Sequence, residues 1–122
     1  MLNLIIVFIG GGIGSIARYI VTNITKSILP ITFPFGTLTV NIFGSFLMGV
    51  VMTLIATRLT SSSEQVRLFF AVGLLGGFTT FSSFSMETLT LIEKHEIIYA
   101  ITSVATNVIL GLFAAYLGTK II

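Results

Sequence analysis

Apolar residues run along this chain in four long blocks, each closed by a short polar or proline-bearing stretch. A helix that crosses the hydrocarbon core of a bilayer needs about 20 mainly apolar residues. The pattern predicts such spans over residues 2–23, 35–56, 66–91 and 97–117. Between the first two lies ITKSILPITFP, which carries Lys26 and both prolines, Pro30 and Pro34. The second connection is RLTSSSEQ (residues 58–65), the third the charged turn Glu93-Lys94-His95-Glu96, and Lys120 follows the last span. The first block has no basic leading region and no clear small-residue cleavage site, so it reads as a retained helix rather than a signal peptide. Four helices and three short connections take up residues 1–122 as one membrane domain, with no room for a soluble one.

Composition narrows the class further. Of 122 residues 55% are hydrophobic and 8% charged, and the mean hydropathy is +1.12. Soluble domains carry roughly 25% charged residues to keep their surface wet. Six Lys or Arg, four Glu and no Asp cannot cover a globule of this size. A soluble enzyme, a nucleic-acid binder and a disordered tail are excluded, and the net charge of +2 is too small to argue for a nucleic-acid partner. With no Cys, disulfide scaffolds and thiolate metal sites drop out as well. The chain reads as an all-α integral membrane protein with no catalytic constellation.

Orientation in the bilayer follows Lys and Arg in the short connections. One side holds Arg58, Arg67 and Lys120; the other holds Lys26 and Lys94, with Arg18 near it at the end of the first span. The count is balanced, three against three. Either another influence sets one orientation, or the chain inserts both ways. In the second case two copies can pair antiparallel about an axis in the membrane plane.

Polar side chains inside spans must find partners, line water or do work. Thr37, Asn41 and Ser45 recur at i, i+4 and i+8, one stripe of the second helix. Thr80, Ser83, Glu87 and Thr90 make another stripe on the third, with Ser82 and Ser85 beside it. The fourth adds Ser103 and Asn107 at i, i+4, next to Thr102 and Thr106. Any single hydroxyl can be ordinary glue between helices. Stripes on three of four helices suggest a pathway. Gly10, Gly14, Gly44 and Gly49, by contrast, read as close-packing positions.

The segment GLLGGFTTFSSFSME, Gly73 to Glu87, does not read as a continuous helix. Glycine costs about 1 kcal/mol in a helix relative to Ala, and threonine hydroxyls compete for backbone partners. A break near residues 76–80 is expected. Its freed carbonyls can bind a cation or line an aqueous cavity, or the break can be a packed kink. Phe81 and Phe84 follow on one face, and a phenyl ring has an electropositive edge. Ring edges beside Ser and Thr donors can hold a small, strongly hydrated anion without the tight grip of a fixed cation. Arg18 either snorkels to the interface or adds positive potential at a vestibule. Glu87, the one acid well inside a span, must be protonated or turned towards donors if an anion passes it.

These residues resemble the Fluc/CrcB family of fluoride channels over nearly the whole chain. The motifs are GGFTTFSSFS (Gly76 to Ser85) followed by Glu87, GTLTVNIFGSF (Gly36 to Phe46) with Asn41, and GGIGSIARY (Gly11 to Tyr19). The resemblance implies four-helix subunits in antiparallel, dual-topology homodimers of a prokaryotic cell (inner) membrane. Two pores per dimer would let fluoride leave down its electrochemical gradient and relieve its toxicity. It implies that Phe81 and Phe84 are the paired pore phenylalanines and that Asn41 orients them and solvates the ion. Gly76 and Thr79 would offer carbonyls to a structural sodium ion at the dimer interface. Ser82, Ser85 and Thr37 would belong to the polar track, with Glu87 near the ion path and Arg18 at the vestibule. Where many members carry Tyr then Ser in the fourth helix, this chain has Ser103 and Asn107, which either exchanges an aromatic hydroxyl for an amide or shifts the register there.

The main rival is a proton-coupled small-solute exporter of the same size and symmetry, with Glu87 as its titrating acid. No Trp is present to build an aromatic cage for an organic cation. A non-transporting scaffold subunit would need no polar stripes.

Overall fold

In a computed structural model, residues 1–59, 61 and 63–122 are described, and all regular structure among them is helical. Thr60 and Ser62, within the expected polar connection, lie outside the described residues. Helix α1 spans Leu2–Ile28 and α2 spans Phe35–Thr57. The third span, Ser63–Glu93, is two helices: α3 over residues 63–78 and α4 over Phe81–Glu93. Helix α5 spans Ile97–Lys120. All four spans are long and apolar enough to cross a membrane.

The helices run past the expected bounds because flanking residues complete their last turns. Helix α1 continues through Lys26 to Ile28, where Leu29 turns extended and donates its N–H to Thr25 O at 2.9 Å. Pro34 caps the start of α2, a position where its missing N–H costs nothing. Phe33, buried in the connection, holds it down against Phe35 (ring centroids 4.9 Å) and, edge-on, Tyr99 (6.1 Å). The turn from α4 to α5 closes with two reversed hydrogen bonds, His95 N–H to Ile92 O (3.0 Å) and Glu96 N–H to Leu91 O (2.8 Å). His95 sits between them at φ 61°, the left-handed position such a helix end requires.

Packing rests on backbone approaching backbone. Helix α1 lies against α3, and α2 against α5. A Cβ on Gly10 would stand 2.6 Å from Phe69 O, and one on Gly77 the same distance from Gly11 O. A Cβ on Gly14 would collide with Leu74 O. In the second pair, a Cβ on Gly49 would strike Ala115 O and one on Gly118 would strike Phe46 O. Within a bilayer no hydrophobic force drives helices together, so such close van der Waals contact does. The buried core is correspondingly thin and small-sided, with Val40, Ala71, Leu75, Ala100 and Ala114 among its members.

Both α3 and α5 also contain wide, π-helical turns, over Arg67–Leu75 and Thr106–Leu110. The first leads into the break, and the second contains Asn107.

Candidate functional site

The helix break is at Thr79–Thr80, inside the expected interval. Thr79 (φ −83°, ψ 155°) and Thr80 (φ −149°, ψ 118°) are both extended. Thr79 closes α3: its N–H and its hydroxyl both donate to Leu75 O, at 3.0 and 2.9 Å. Thr80 opens α4, its Oγ1 accepting from Ser83 N–H at 3.1 Å as an N-cap. A continuous helix would direct the Thr80 N–H to the Gly76 carbonyl. Here it goes instead to Asn41 Oδ1 at 2.8 Å. Asn41 returns the bond, Nδ2 donating to Thr80 O at 3.2 Å. The α2 amide thus replaces the helical ladder for one whole peptide residue, as a neighbouring strand would.

Helix α5 braces that amide. Asn41 Nδ2 also donates to Asn107 Oδ1 at 2.9 Å, and Asn107 Nδ2 donates to Ser103 O at 2.8 Å. Ser103 is 1% exposed and anchors the brace from behind, lining neither of the two cavities beside the break. From the α1 side, Arg18 Nε donates to Gly77 O at 3.0 Å. Arg18 therefore holds the end of α3 as well as facing the open space beside it.

Two cavities meet at the break. The larger, about 730 Å3, lies between α1, the 29–34 connection, α2 and α4. The full expected stripe of the third span, Thr80, Ser83, Glu87 and Thr90, lines it with Thr37 and Arg18. Lys26 and Lys94 bring further positive charge to its walls, and Glu96 a second carboxylate. Oε1 of Glu87 is buried and has no hydrogen-bond partner among the described residues. The smaller cavity, about 330 Å3, is lined by Asn41, Ser45, Phe81, Phe84 and Asn107 among others. Thr80 lines both. The α2 stripe passes from one to the other, with Thr37 on the larger side and Asn41 and Ser45 on the smaller.

Phe81 and Phe84 stand with ring centroids 5.5 Å apart at 53°, and Phe81 is 78% exposed on the subunit surface. Ser82 and Ser85 line neither cavity. The Ser82 hydroxyl meets Thr80 Oγ1 at 3.3 Å, and Ser85 donates to Phe81 O at 3.0 Å. Thr80 and Ser83 line the larger cavity. Both stood in the recognised stripe, but the Thr80 role comes from its peptide, which no side-chain pattern reports.

The chemistry of the break is asymmetric. At the break the last carbonyls of α3 and the first N–H groups of α4 lose their ladder partners, and side chains answer only some of them, Arg18 at Gly77 O and Thr80 Oγ1 at Ser83 N–H. One end attracts cations and the other anions, in space lined mostly by neutral groups. The Gly76 carbonyl has lost its ladder donor, Gly76 is exposed, and a Cβ there would find nothing nearer than 3.5 Å, so this carbonyl is open to a cation. Among the described residues no group of three His, Asp or Glu could hold a metal.

A profile of the CrcB-like protein family (Camphor Resistance, CrcB) matches residues 5–119. Curated relatives include proteins of Shewanella loihica (43% identical), Shewanella piezotolerans (42%) and Shewanella halifaxensis (41%). Each similarity covers 122 residues, 100% of this chain and 97% of the relative, and each relative bears the name fluoride-specific ion channel FluC.

Proposed function

This chain belongs to the CrcB-like protein family, and from that premise we propose that it is a fluoride-specific channel, a passive pore and not an enzyme. It is a multi-pass protein of a prokaryotic membrane. The observation that carries the reading is the broken third span, whose α4 end carries Phe81 and Phe84 to the smaller cavity beside Asn107. Fluoride is small and holds its hydration shell strongly, so a pathway must replace that shell without gripping the ion. Ring edges, hydroxyls and the amide end of a helix do this with partial charges alone. The larger cavity, with Arg18, Lys26 and Lys94 in its walls, serves as the vestibule that raises local anion concentration.

The working unit in this reading is an antiparallel homodimer. Phe81, Gly76 and Ser82 are exposed on the subunit, and backbone freed at a break cannot face lipid. A second copy covering that surface would complete two equivalent pathways. A sodium ion held by the carbonyls of Gly76 and Thr79 would supply a fixed positive charge at the centre.

The buried, unpartnered Oε1 of Glu87 favours a second reading, proton-coupled export through the larger cavity. One experiment separates the two. Purified protein in liposomes loaded with potassium fluoride should release fluoride once potassium permeability is provided, and release should persist when protons are uncoupled. Chloride should be retained. An obligatory proton flux would favour the exporter, and equal release of both halides would end the channel reading.

A further inference from the structure

The amide of Asn41 has two protons, and both are committed. One goes to Thr80 O at 3.2 Å and the other to Asn107 Oδ1 at 2.9 Å, while its own oxygen accepts from Thr80 N–H. An asparagine amide offers only two donors, so none remains for a ligand in the cavity that Asn41 lines. Asn107 is held differently. Its Nδ2 makes one short bond, to Ser103 O at 2.8 Å, and only a stretched approach of 3.5 Å to Ser103 Oγ.

We propose that Asn107 is the positioning residue for Asn41: its Oδ1 draws off the amide proton that would otherwise turn into the smaller cavity, making Asn41 a clamp on the broken backbone rather than a donor to the anion. The idea rests on the channel reading for its consequence in flux, but not for the hydrogen bonds themselves. Ser103, fully buried behind Asn107, sets the reach of the brace from the body of α5. The wide turn at Thr106–Leu110 includes Asn107, so this interruption of α5 accompanies the brace. Division of labour follows: α2 and α5 fix the break, and α4 with its rings supplies what touches the ion.

Two measurements test this. In fluoride efflux, Asn41→Ala and Asn107→Ala should each lower the rate about tenfold, roughly the worth of one charge-free hydrogen bond. If Asn107 acts through Asn41, the double variant should fall no more than about twofold below the lower single, whereas independent roles would multiply to about a hundredfold. The second measurement does not depend on flux. The chain has four asparagines, Asn3, Asn23, Asn41 and Asn107, so side-chain 15N-asparagine labelling gives a sparse spectrum. The pair of Asn41 signals, identified by its loss in Asn41→Ser, should exchange slowly with solvent and stay unmoved as fluoride is added. Asn107→Ala should release that protection. Asn41 amide protons that shift with fluoride in the wild type, or that stay protected in Asn107→Ala, would overturn the proposal. Should the wild type pass no fluoride, the channel reading falls while the spectrum still decides the brace.

Discussion

At the scale of the residue, the site is organised around a peptide rather than a side chain. Thr80 exposes one N–H and one C=O at the break, and Asn41 takes both. The rings of Phe81 and Phe84 are carried on the turn that begins there. Phe81→Ile roughly keeps volume and removes the ring edge; fluoride efflux should drop at least about tenfold, an effect of one modest interaction, with the protein still assembled in detergent. An unchanged rate would exclude ring contact with the ion. Glu87 touches the larger cavity but is not needed as a proton carrier in a passive pore. Glu87→Gln should therefore still conduct, and complete loss of transport from a normally assembled variant would revive proton-coupled export. His95 lines neither cavity, yet it occupies a left-handed position that costs a non-glycine residue about 1 kcal/mol. His95→Gly should raise the midpoint of thermal unfolding and leave efflux unaltered.

Elements explain why the break survives. Helices α3 and α4 are separated by two extended residues, and three neighbours hold the gap: Arg18 of α1 at Gly77, Asn41 of α2 at Thr80, and Asn107 of α5 behind Asn41. Each neighbour is delivered by close helix packing. Gly118 and Gly49 let α2 and α5 touch backbone to backbone, which brings Asn41 and Asn107 within one hydrogen bond. Gly118→Val should force these helices apart at a cost of about 3 kcal/mol, typical of overpacking. Gly12→Ala should leave stability unchanged or raise it by up to about 1 kcal/mol, because nothing lies within 4 Å of a Cβ there. Thermal unfolding in detergent, read alongside efflux, checks both. Equal effects from the two would remove the packing argument.

At the scale of the whole molecule, the proposed antiparallel dimer would cover the surface beside the break. Phe81 is 78% exposed, and Gly76 and Ser82 are exposed with it beside the break. Lipid tails offer the freed backbone at Gly76 no hydrogen bonds, which supports the proposed protein partner. With Lys and Arg balanced three against three across the two sides, a second copy in the opposite orientation fits this requirement. Single cysteines introduced into this Cys-free chain, at Phe8 in the outer part of α1 and at Tyr19 near its far end, provide the check. Bifunctional cross-linking in membranes should join position 8 of one copy to position 19 of the other. Capture of like ends alone would establish a parallel pair and end the dual-topology proposal.

Hydropathy alone determined that the chain crosses the membrane four times, because each span must satisfy its own backbone and therefore writes itself as a long apolar block. The weak place in the third span was equally legible, since Gly76, Gly77, Thr79 and Thr80 favour a helix poorly whatever surrounds them. Even the stripe of Thr80, Ser83, Glu87 and Thr90 followed from helical spacing, and it lines one cavity. What spacing could not convey is which residue answers which. The pairing of Asn41 with the Thr80 peptide joins positions 39 apart, and its brace to Asn107 joins positions 66 apart. Arg18 meets Gly77 across 59 residues. Those partnerships exist only once glycine-lined helices have closed on each other, and only the closed bundle decides which amide protons are left to meet an ion.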